Sequence, residues 1–305
     1  MEAKILDIQR LSTEDGPGIR TTVFFKGCNL ACKWCHNPES ISSRFERYWA
    51  EEKCIFCKTC LEACAAGALS FSENGLIFDL EKCLNCGRCG EACPTLAIET
   101  KGRLITETEL YRELLKDKAY FGANGGVTLS GGEPMLQSDF LLLLLKLLKA
   151  SGVHTALDTA GLYGEERLAP VLPYLDLVLF DLKFIDAAEH KKWAAADNAQ
   201  ILKNARMLGA LDYPKVWVRT PLIPGATATP ENIAAIGAFI KESMPNLERW
   251  ELPAFNNLSR RKYTLLGREW EFKSTELMKR KELDALAGVA KAYFPAAVWT
   301  GRATD

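Results

Sequence analysis

Eleven cysteines decide what this chain can fold around, because they fall into three tight groups with none left over. Cys28, Cys32 and Cys35 form Cys-x3-Cys-x2-Cys within GCNLACKWCHNP, residues 27–38. Cys54, Cys57, Cys60 and Cys64 form a second group, and Cys83, Cys86, Cys89 and Cys93 a third, both spaced Cys-x2-Cys-x2-Cys-x3-Cys. A disulfide framework expects an even count in a short secreted chain. An odd count in 305 residues points instead to a reducing compartment and metal ligation. Soft thiolates suit iron–sulfur clusters. Three of them hold three corners of a [4Fe–4S] cube and leave one iron without a protein ligand; an open position on a metal is usually a chemical one. A zinc ion taking the adjacent His36 as its fourth ligand is the alternative at the first group.

The second and third groups lie between Tyr48 and Lys101, as CIFCKTCLEAC and CLNCGRCGEAC, the latter followed by Pro94. The segment is an internal duplication of roughly 29 residues, too small to own a hydrophobic core without metal. In two-cluster ferredoxins the fourth cysteine of each run ligates the other cluster. That rule assigns Cys54, Cys57, Cys60 and Cys93 to one cube, and Cys83, Cys86, Cys89 and Cys64 to the other. The first run departs from the usual pattern, with Ala65 where a proline is common. The expected organisation is one domain from residues 1–47 and 102–305, interrupted by a bacterial ferredoxin-like domain at 48–101.

Outside the insert, strand and helix patterns alternate. Thr21–Lys26 (TTVFFK), Val127–Ser130, Thr155–Asp158, Leu177–Phe180, Val216–Thr220 and Arg249–Pro253 read as strands, β-branched and aromatic. Helices are expected from about Thr106, over Ser138–Ala150, Glu165–Leu172, Gln200–Leu208, Glu231–Met244 and Thr275–Tyr293, with an edge strand at Ala297–Thr300. Six βα units predict an α/β fold, a partial (β/α)6 barrel, open rather than closed. In such barrels the C-terminal strand ends build the active site.

A net charge of -1 and a pI near 6.4 give no argument for nucleic acid or membrane binding. The most apolar run, Phe140–Leu148, is broken by Lys146 and is far short of the ~20 residues that span a bilayer. The first residues lack the apolar stretch of a secretory signal. A cytoplasmic monomer is expected.

A cube with an open iron at the mouth of a half-barrel wants a bidentate ligand, and an amino acid offers one through its amine and carboxylate. Gly131 and Gly132 permit close backbone approach, Glu133 suits an ammonium, and Lys183 a carboxylate. Asp158, Thr159 and Asp181 are hard oxygen ligands for a small cation beside that carboxylate. Trp34 offers a flat apolar face to a heterocycle. The plain alternatives are a turn-capping Asp158, a strand-end ion pair of Asp181 with Lys183, and a Trp34 that only packs. His154 and His190 read as surface or helix-end residues.

The Cys28-x3-Cys32-x-Trp34-Cys35 loop, the Gly131-Gly132-Glu133 turn and the partial barrel resemble radical S-adenosylmethionine (SAM) enzymes. A wider set of residues is similar to the activating enzymes of glycyl radical enzymes: Asp15 to Arg20 (DGPGIR), Phe24 to Cys28, Cys35 to Pro38, Asp158-Thr159, Asp181-Leu182-Lys183 and Arg219. The two-cluster insert matches the subgroup carrying a ferredoxin-like domain. The resemblance covers essentially the whole chain. It implies three [4Fe–4S] clusters, one of them site-differentiated, with SAM and a monovalent cation. It further implies an oxidoreductase that cleaves SAM to methionine and a 5′-deoxyadenosyl radical, which abstracts hydrogen from a backbone glycine of a partner enzyme. Flavodoxin or ferredoxin is the implied electron donor. Asp15 and His36 are placed by the resemblance near the incoming glycine loop, and Arg219 among the cofactor contacts. Asn256 stands where a minimal member has a histidine near SAM. The alternatives are a radical SAM enzyme that modifies a small molecule, disfavoured by the Asp15–Arg20 motif, and a plain electron-transfer iron–sulfur protein.

Overall fold

The computed structural model describes residues 1–73 and 75–305. Its strands are β1 (Glu2–Ser12), β2 (Arg20–Phe25), β3 (Glu46–Trp49), β4 (Leu69–Ser72), β5 (Gly75–Phe78), β6 (Ile98–Lys101), β7 (Arg103–Thr106), β8 (Gly126–Gly131), β9 (His154–Thr159), β10 (Leu177–Asp181), β11 (Lys215–Arg219), β12 (Arg249–Pro253) and β13 (Val298–Thr300). The main sheet has the order β13-β12-β11-β10-β9-β8-β2-β1-β7. From β2 to β13 every pairing is parallel, with Val23 opposite Leu129 and Phe180 opposite Val218. β1 and β7 continue it antiparallel on the other side of β2.

Successive parallel strands always add to the same edge, so all crossovers wind one way and the helices collect on one face. The alternation along β10 separates two cores. Val178 and Phe180 join the large core that includes Leu110, Leu144, Ile201 and Ile236, whereas Leu177 and Leu179 pack with Ala156 and Trp217 on the other face. That inner face is curled. The loop after β1 bonds to β2 through Asp15 Oδ2, which accepts from Thr22 Oγ1 at 2.7 Å, while Glu14 O accepts from Arg219 Nη2 of β11. In a flat sheet those strands stand roughly 19 Å apart, at about 4.8 Å per neighbour. One short loop touches both because the sheet wraps around it. It does not close: β13 and β7 are its two edges.

The sheet thus carries one more parallel strand than the six units expected, since the edge strand is fully in register with β12. Two helices longer than one turn escaped the sequence reading, Ala187–Ala194 and Arg260–Leu265. The first is signalled by Asp186, whose carboxylate caps Glu189 N at 2.8 Å. The last helix is shorter than expected, Arg280–Lys291. His190 is buried, 1 % exposed on Ala187–Ala194, with Nδ1 2.6 Å from Ala196 O. It is therefore not the surface or helix-end residue that its sequence context had suggested, but a buried one inside the helix.

In the cysteine-rich segment β3 pairs with β6 and β4 with β5, all antiparallel. The duplication is visible in the backbone. Left-handed φ values recur at Phe56 and Asn85, Lys58 and Gly87, and Gly67 and Leu96, offset by about 29 residues in every case. Each repeat carries a one-turn helix, Thr59–Glu62 and Arg88–Glu91. Cys60, Cys89, Leu76 and Ile98 form its small interior. Among the described residues no helix is long and apolar enough to cross a membrane.

Candidate active site

The loop carrying Cys28, Cys32 and Cys35 leaves β2 at the C-terminal end of the parallel strands and is fastened on three sides. Below it, Glu133 N donates to Gly27 O at 2.7 Å and Gly132 N to Phe25 O at 2.9 Å. Side chains are not tolerated there: a Cβ on Gly131 (φ +112) would meet Phe25 N at 2.3 Å, and one on Gly132 would meet Gly27 O at 2.2 Å. Beside it, Ala31 N and Lys33 N donate to the carbonyls of Ala194 and Trp193, the end of a helix that sequence reasoning missed. Over it runs the segment after β12. Tyr263 Oη donates to Cys35 O (3.2 Å), Ser259 Oγ to His36 O (3.2 Å), Lys262 Nζ to Asn37 Oδ1 (2.7 Å) and Arg268 Nη1 to Pro38 O (3.2 Å). Four consecutive residues are gripped by one strap, whose basic and hydroxyl residues gave no sequence signal.

A cavity of about 320 Å³ opens on this loop. Cys28, Cys32, Cys35, Trp34 and His36 line it with Ser130 and Gly131 of β8, with Gly132 just beyond that strand, and with Asp158, Thr159, Asp181, Lys183, Arg219 and Asn256. Most of the expected site residues are thus brought together. Trp34 is 5 % exposed and lies between Phe184 and Trp193, ring centroids 6.4 and 6.2 Å away, so it both packs and lines the wall. Lys183 Nζ donates to Asp181 Oδ2 at 2.8 Å. Burial would lower the Lys183 pKa, but Asp181 and the sulfur of Cys32 outweigh it and hold the ammonium above its ordinary value. Asp158 accepts from Ser130 Oγ at 2.6 Å, and burial pushes its carboxyl upward against the pull of Arg219. Arg219 Nε is 3.1 Å from Glu251 Oε2. His36 Nδ1 stands 3.5 Å from Asn256 Nδ2, while its buried Nε2 has no partner among the described residues. Burial, then Lys262, lowers its pKa.

One expectation is corrected by position. Glu133 is not offered to an ammonium: it is fully buried and absent from the cavity wall. Its carboxylate accepts from Thr159 Oγ1 (2.8 and 2.9 Å), Ala160 N (3.0 Å) and Met135 N (3.2 Å), a clasp between β8 and β9. Burial pushes its pKa up to about 7 against those hydrogen bonds. Thr159 consequently aims its hydroxyl at Glu133, away from Asp158 on the opposite face of β9. Asp158, Thr159 and Asp181 nevertheless all line the same cavity, with Asp181 also accepting from Lys183 Nζ. Asp15 lies on the loop after β1, its Oδ2 accepting from Ser12 Oγ (2.5 Å) and Thr22 Oγ1 (2.7 Å). Those hydroxyls hold it inside the curl of the sheet.

In the insert, Cys64, Cys83, Cys86 and Cys89 line one cavity of about 120 Å³. Cys93 lies instead beside the first run: burial raises the Cys60 thiol, with Cys93 and Cys54 adding to it, while hydrogen bonding from Thr59 lowers the Cys57 thiol against the charge of Cys93. Each group of four therefore takes three members from one run and one from the other.

The donor set at the main cavity fits an iron–sulfur cube. Burial pushes the Cys28 thiol up to about 12, and raises Cys32 and Cys35 likewise. Such thiols ionise only against strong positive charge, which iron supplies and Lys183 supplements. The sequence matches the family model of the Radical SAM superfamily over residues 22–235. It is 40% identical over 276 residues to the isethionate sulfite-lyase activating enzyme of Nitratidesulfovibrio vulgaris, covering 86% of this chain and 87% of the relative. It is 37% identical over 295 residues to the trans-4-hydroxy-L-proline dehydratase activating enzyme of Clostridioides difficile, covering 96% and 97%. A crystallised radical SAM methyltransferase from Sphaerobacter thermophilus shares the fold, with a TM-score of 0.52 at 11% identity over 92% of this chain and 66% of that one. The chain belongs to the radical SAM superfamily. Within it, the full-length relatives place it among the activating enzymes of glycyl radical enzymes. It is an enzyme of radical chemistry whose substrate is another protein, and a [4Fe–4S] cluster and SAM are its cofactors.

Proposed function

We propose that the cavity lined by Cys28, Cys32 and Cys35 is where SAM is cleaved, and that residues 48–101 form a ferredoxin-like domain with two further [4Fe–4S] clusters that relay electrons to it. The observation that carries this reading is the convergence of those three cysteines with the Gly131-Gly132 backbone on one cavity at the strand ends. When bound there, the reduced cube supplies the electron that splits SAM into methionine and a 5′-deoxyadenosyl radical, and that radical takes a hydrogen atom from a glycine of the partner enzyme.

The chain's own residues bind and orient. Gly131 and Gly132 let the methionine part of SAM lie against bare backbone. Lys183, held cationic by Asp181, suits its carboxylate; Asp158, partnered by Ser130, is left to accept from its polar groups. Trp34 and Phe255 present apolar faces, and His36 with Asn256 brings ring and amide nitrogens to the same wall. Arg219, fixed by Glu251 and by Glu14 O, brings positive charge to within 4.0 Å of Asp158 in the cavity wall. Asp15 acts indirectly, by fixing the loop that fills the curl. Flavodoxin or ferredoxin is the electron donor that this arrangement suits, and the partner is a glycyl radical enzyme. Its identity would be tested by mixing each candidate anaerobically with the reduced protein and SAM. A glycyl-radical resonance is expected from the true partner. Its absence, together with no release of 5′-deoxyadenosine, would refute the reading.

A further inference from the structure

The cavity bounded by Cys64, Cys83, Cys86 and Cys89 has two basic residues in its wall, the exposed Arg88 and the buried Arg47 of β3. Arg47 is 4 % exposed. Its Nη1 donates to the carbonyls of Phe45 (3.0 Å) and Glu46 (3.2 Å), yet Nε and Nη2 have no partner among the described residues. Neither the Glu46 nor the Glu39 carboxylate is its partner among the described residues: Glu46 pairs through Oε1 with Arg268 at 2.5 Å and Glu39 through Oε1 with Lys262 at 2.8 Å. A guanidinium buried without acceptors is strongly unfavourable, so a buried one implies an anionic or acceptor-rich neighbour. Four thiolates around an iron–sulfur cube are such a neighbour.

The duplication shows what stands at the matching place in the other half. β3 and β5 are equivalent strands, one pairing with β6 and the other with β4; Arg47 faces Thr100 as Leu76 faces Phe71. Leu76 is a buried apolar residue beside Cys60. One half therefore holds a fixed positive charge where the other holds hydrocarbon.

We propose that Arg47 is the counter-charge of the cube bound by Cys64, Cys83, Cys86 and Cys89, and that it makes this cube the more easily reduced of the two in the insert. The inference rests on the two-cluster reading above. Adding an electron to a thiolate-bound cube makes an anion more negative; a desolvated guanidinium beside it stabilises the reduced form more than the oxidised one. Leu76 offers the other cube nothing comparable. The pair is thus graded, and β3, which supplies Arg47, is also the strand whose Glu46 is tied through Arg268 to the loop of Cys35.

The test is an anaerobic redox titration with dithionite of the fully reconstituted chain without SAM, followed by electron paramagnetic resonance, on wild type, Arg47→Met and Arg47→Lys. Iron is counted in each. Arg47→Met is expected to shift the reduction equilibrium of one auxiliary cube about tenfold toward the oxidised form, about 59 mV for one electron, leaving the other two cubes unmoved. Arg47→Lys keeps most of the wild-type value. Three bound cubes with unchanged potentials in Arg47→Met would overturn the role of Arg47 alone. Iron for a single cube in the wild type would overturn the two-cluster reading and this inference with it. If Arg47→Met loses one cube and Arg47→Lys retains it, the need for charge is upheld; loss in both variants would mean that the side chain only packs, and the inference falls.

Discussion

The guanidinium of Arg268 lies 2.5 Å from the carboxylate of Glu46 and 3.2 Å from the carbonyl of Pro38, so one side chain joins the strap after β12 to both the insert and the cluster loop. Glu46 is 3 % exposed on its side chain, and burial pushes its pKa up against the pull of Arg268. Arg268→Gln leaves that carboxylate buried and short of its main partner. The expected loss is about 1–2 kcal/mol of stability, discounted because Arg268 itself is partly exposed. Amide exchange should quicken in residues 46–49 and 98–101 and in 35–39 together. Faster exchange in the insert strands alone would mean that Arg268 does not couple the two regions.

Crossed ligation in the insert can be counted. If Cys60 and Cys93 serve the same cube, the double substitution Cys60→Ala with Cys93→Ala removes no more iron than either alone. Cys60→Ala with Cys64→Ala should remove twice as much, because those cysteines belong to different groups. Iron analysis after anaerobic reconstitution distinguishes this from uncrossed ligation, which reverses the two results.

His190 supplies a pH dependence with a defined sign. Burial depresses its pKa below the ordinary value of 6.5, so protonation favours the unfolded chain. Its contribution to stability is full above about pH 6.5 and is lost as pH falls from there through the depressed folded value. His190→Asn keeps a donor for Ala196 O but cannot titrate. Denaturant unfolding at pH 7.5 and 5.5 should show the wild type losing stability relative to this variant on acidification; parallel behaviour would contradict the assignment.

Much of this was legible in the chain itself. The cysteine spacings marked out three groups, and β-branched and aromatic runs located the parallel strands to within a residue or two, because strands buried on both faces are near-continuous runs of apolar residues. What was hidden depended on contacts far apart in sequence. Nothing local distinguishes a Glu133 that clasps Thr159 from one that meets a ligand, and nothing local shows that Ser12 and Thr22 hold the Asp15 carboxylate within the curled sheet. The strap of Ser259, Lys262, Tyr263 and Arg268 is polar and short, with no periodicity to mark it. Nothing in the sequence marked Arg47, because its burial follows from β3 pairing with β6, about fifty residues later.

Asn256, opposite His36 in the cavity wall, is expected to contact SAM rather than the cube. Asn256→Ala should therefore raise the SAM KM several-fold, the value of one hydrogen bond at about 1 kcal/mol, with iron content unchanged. Iron loss in this variant would reassign Asn256 to holding the loop.

The account stands on an iron at the loop of Cys28, Cys32 and Cys35 that the chain leaves free for SAM. The most direct measurement uses a variant with Cys54, Cys57, Cys60, Cys64, Cys83, Cys86, Cys89 and Cys93 replaced by serine, holding a single cube, photoreduced anaerobically and observed by electron paramagnetic resonance with and without SAM. The predicted result is a changed cluster spectrum on adding SAM, with 5′-deoxyadenosine released on warming. An identical spectrum in both samples and no nucleoside product would contradict it.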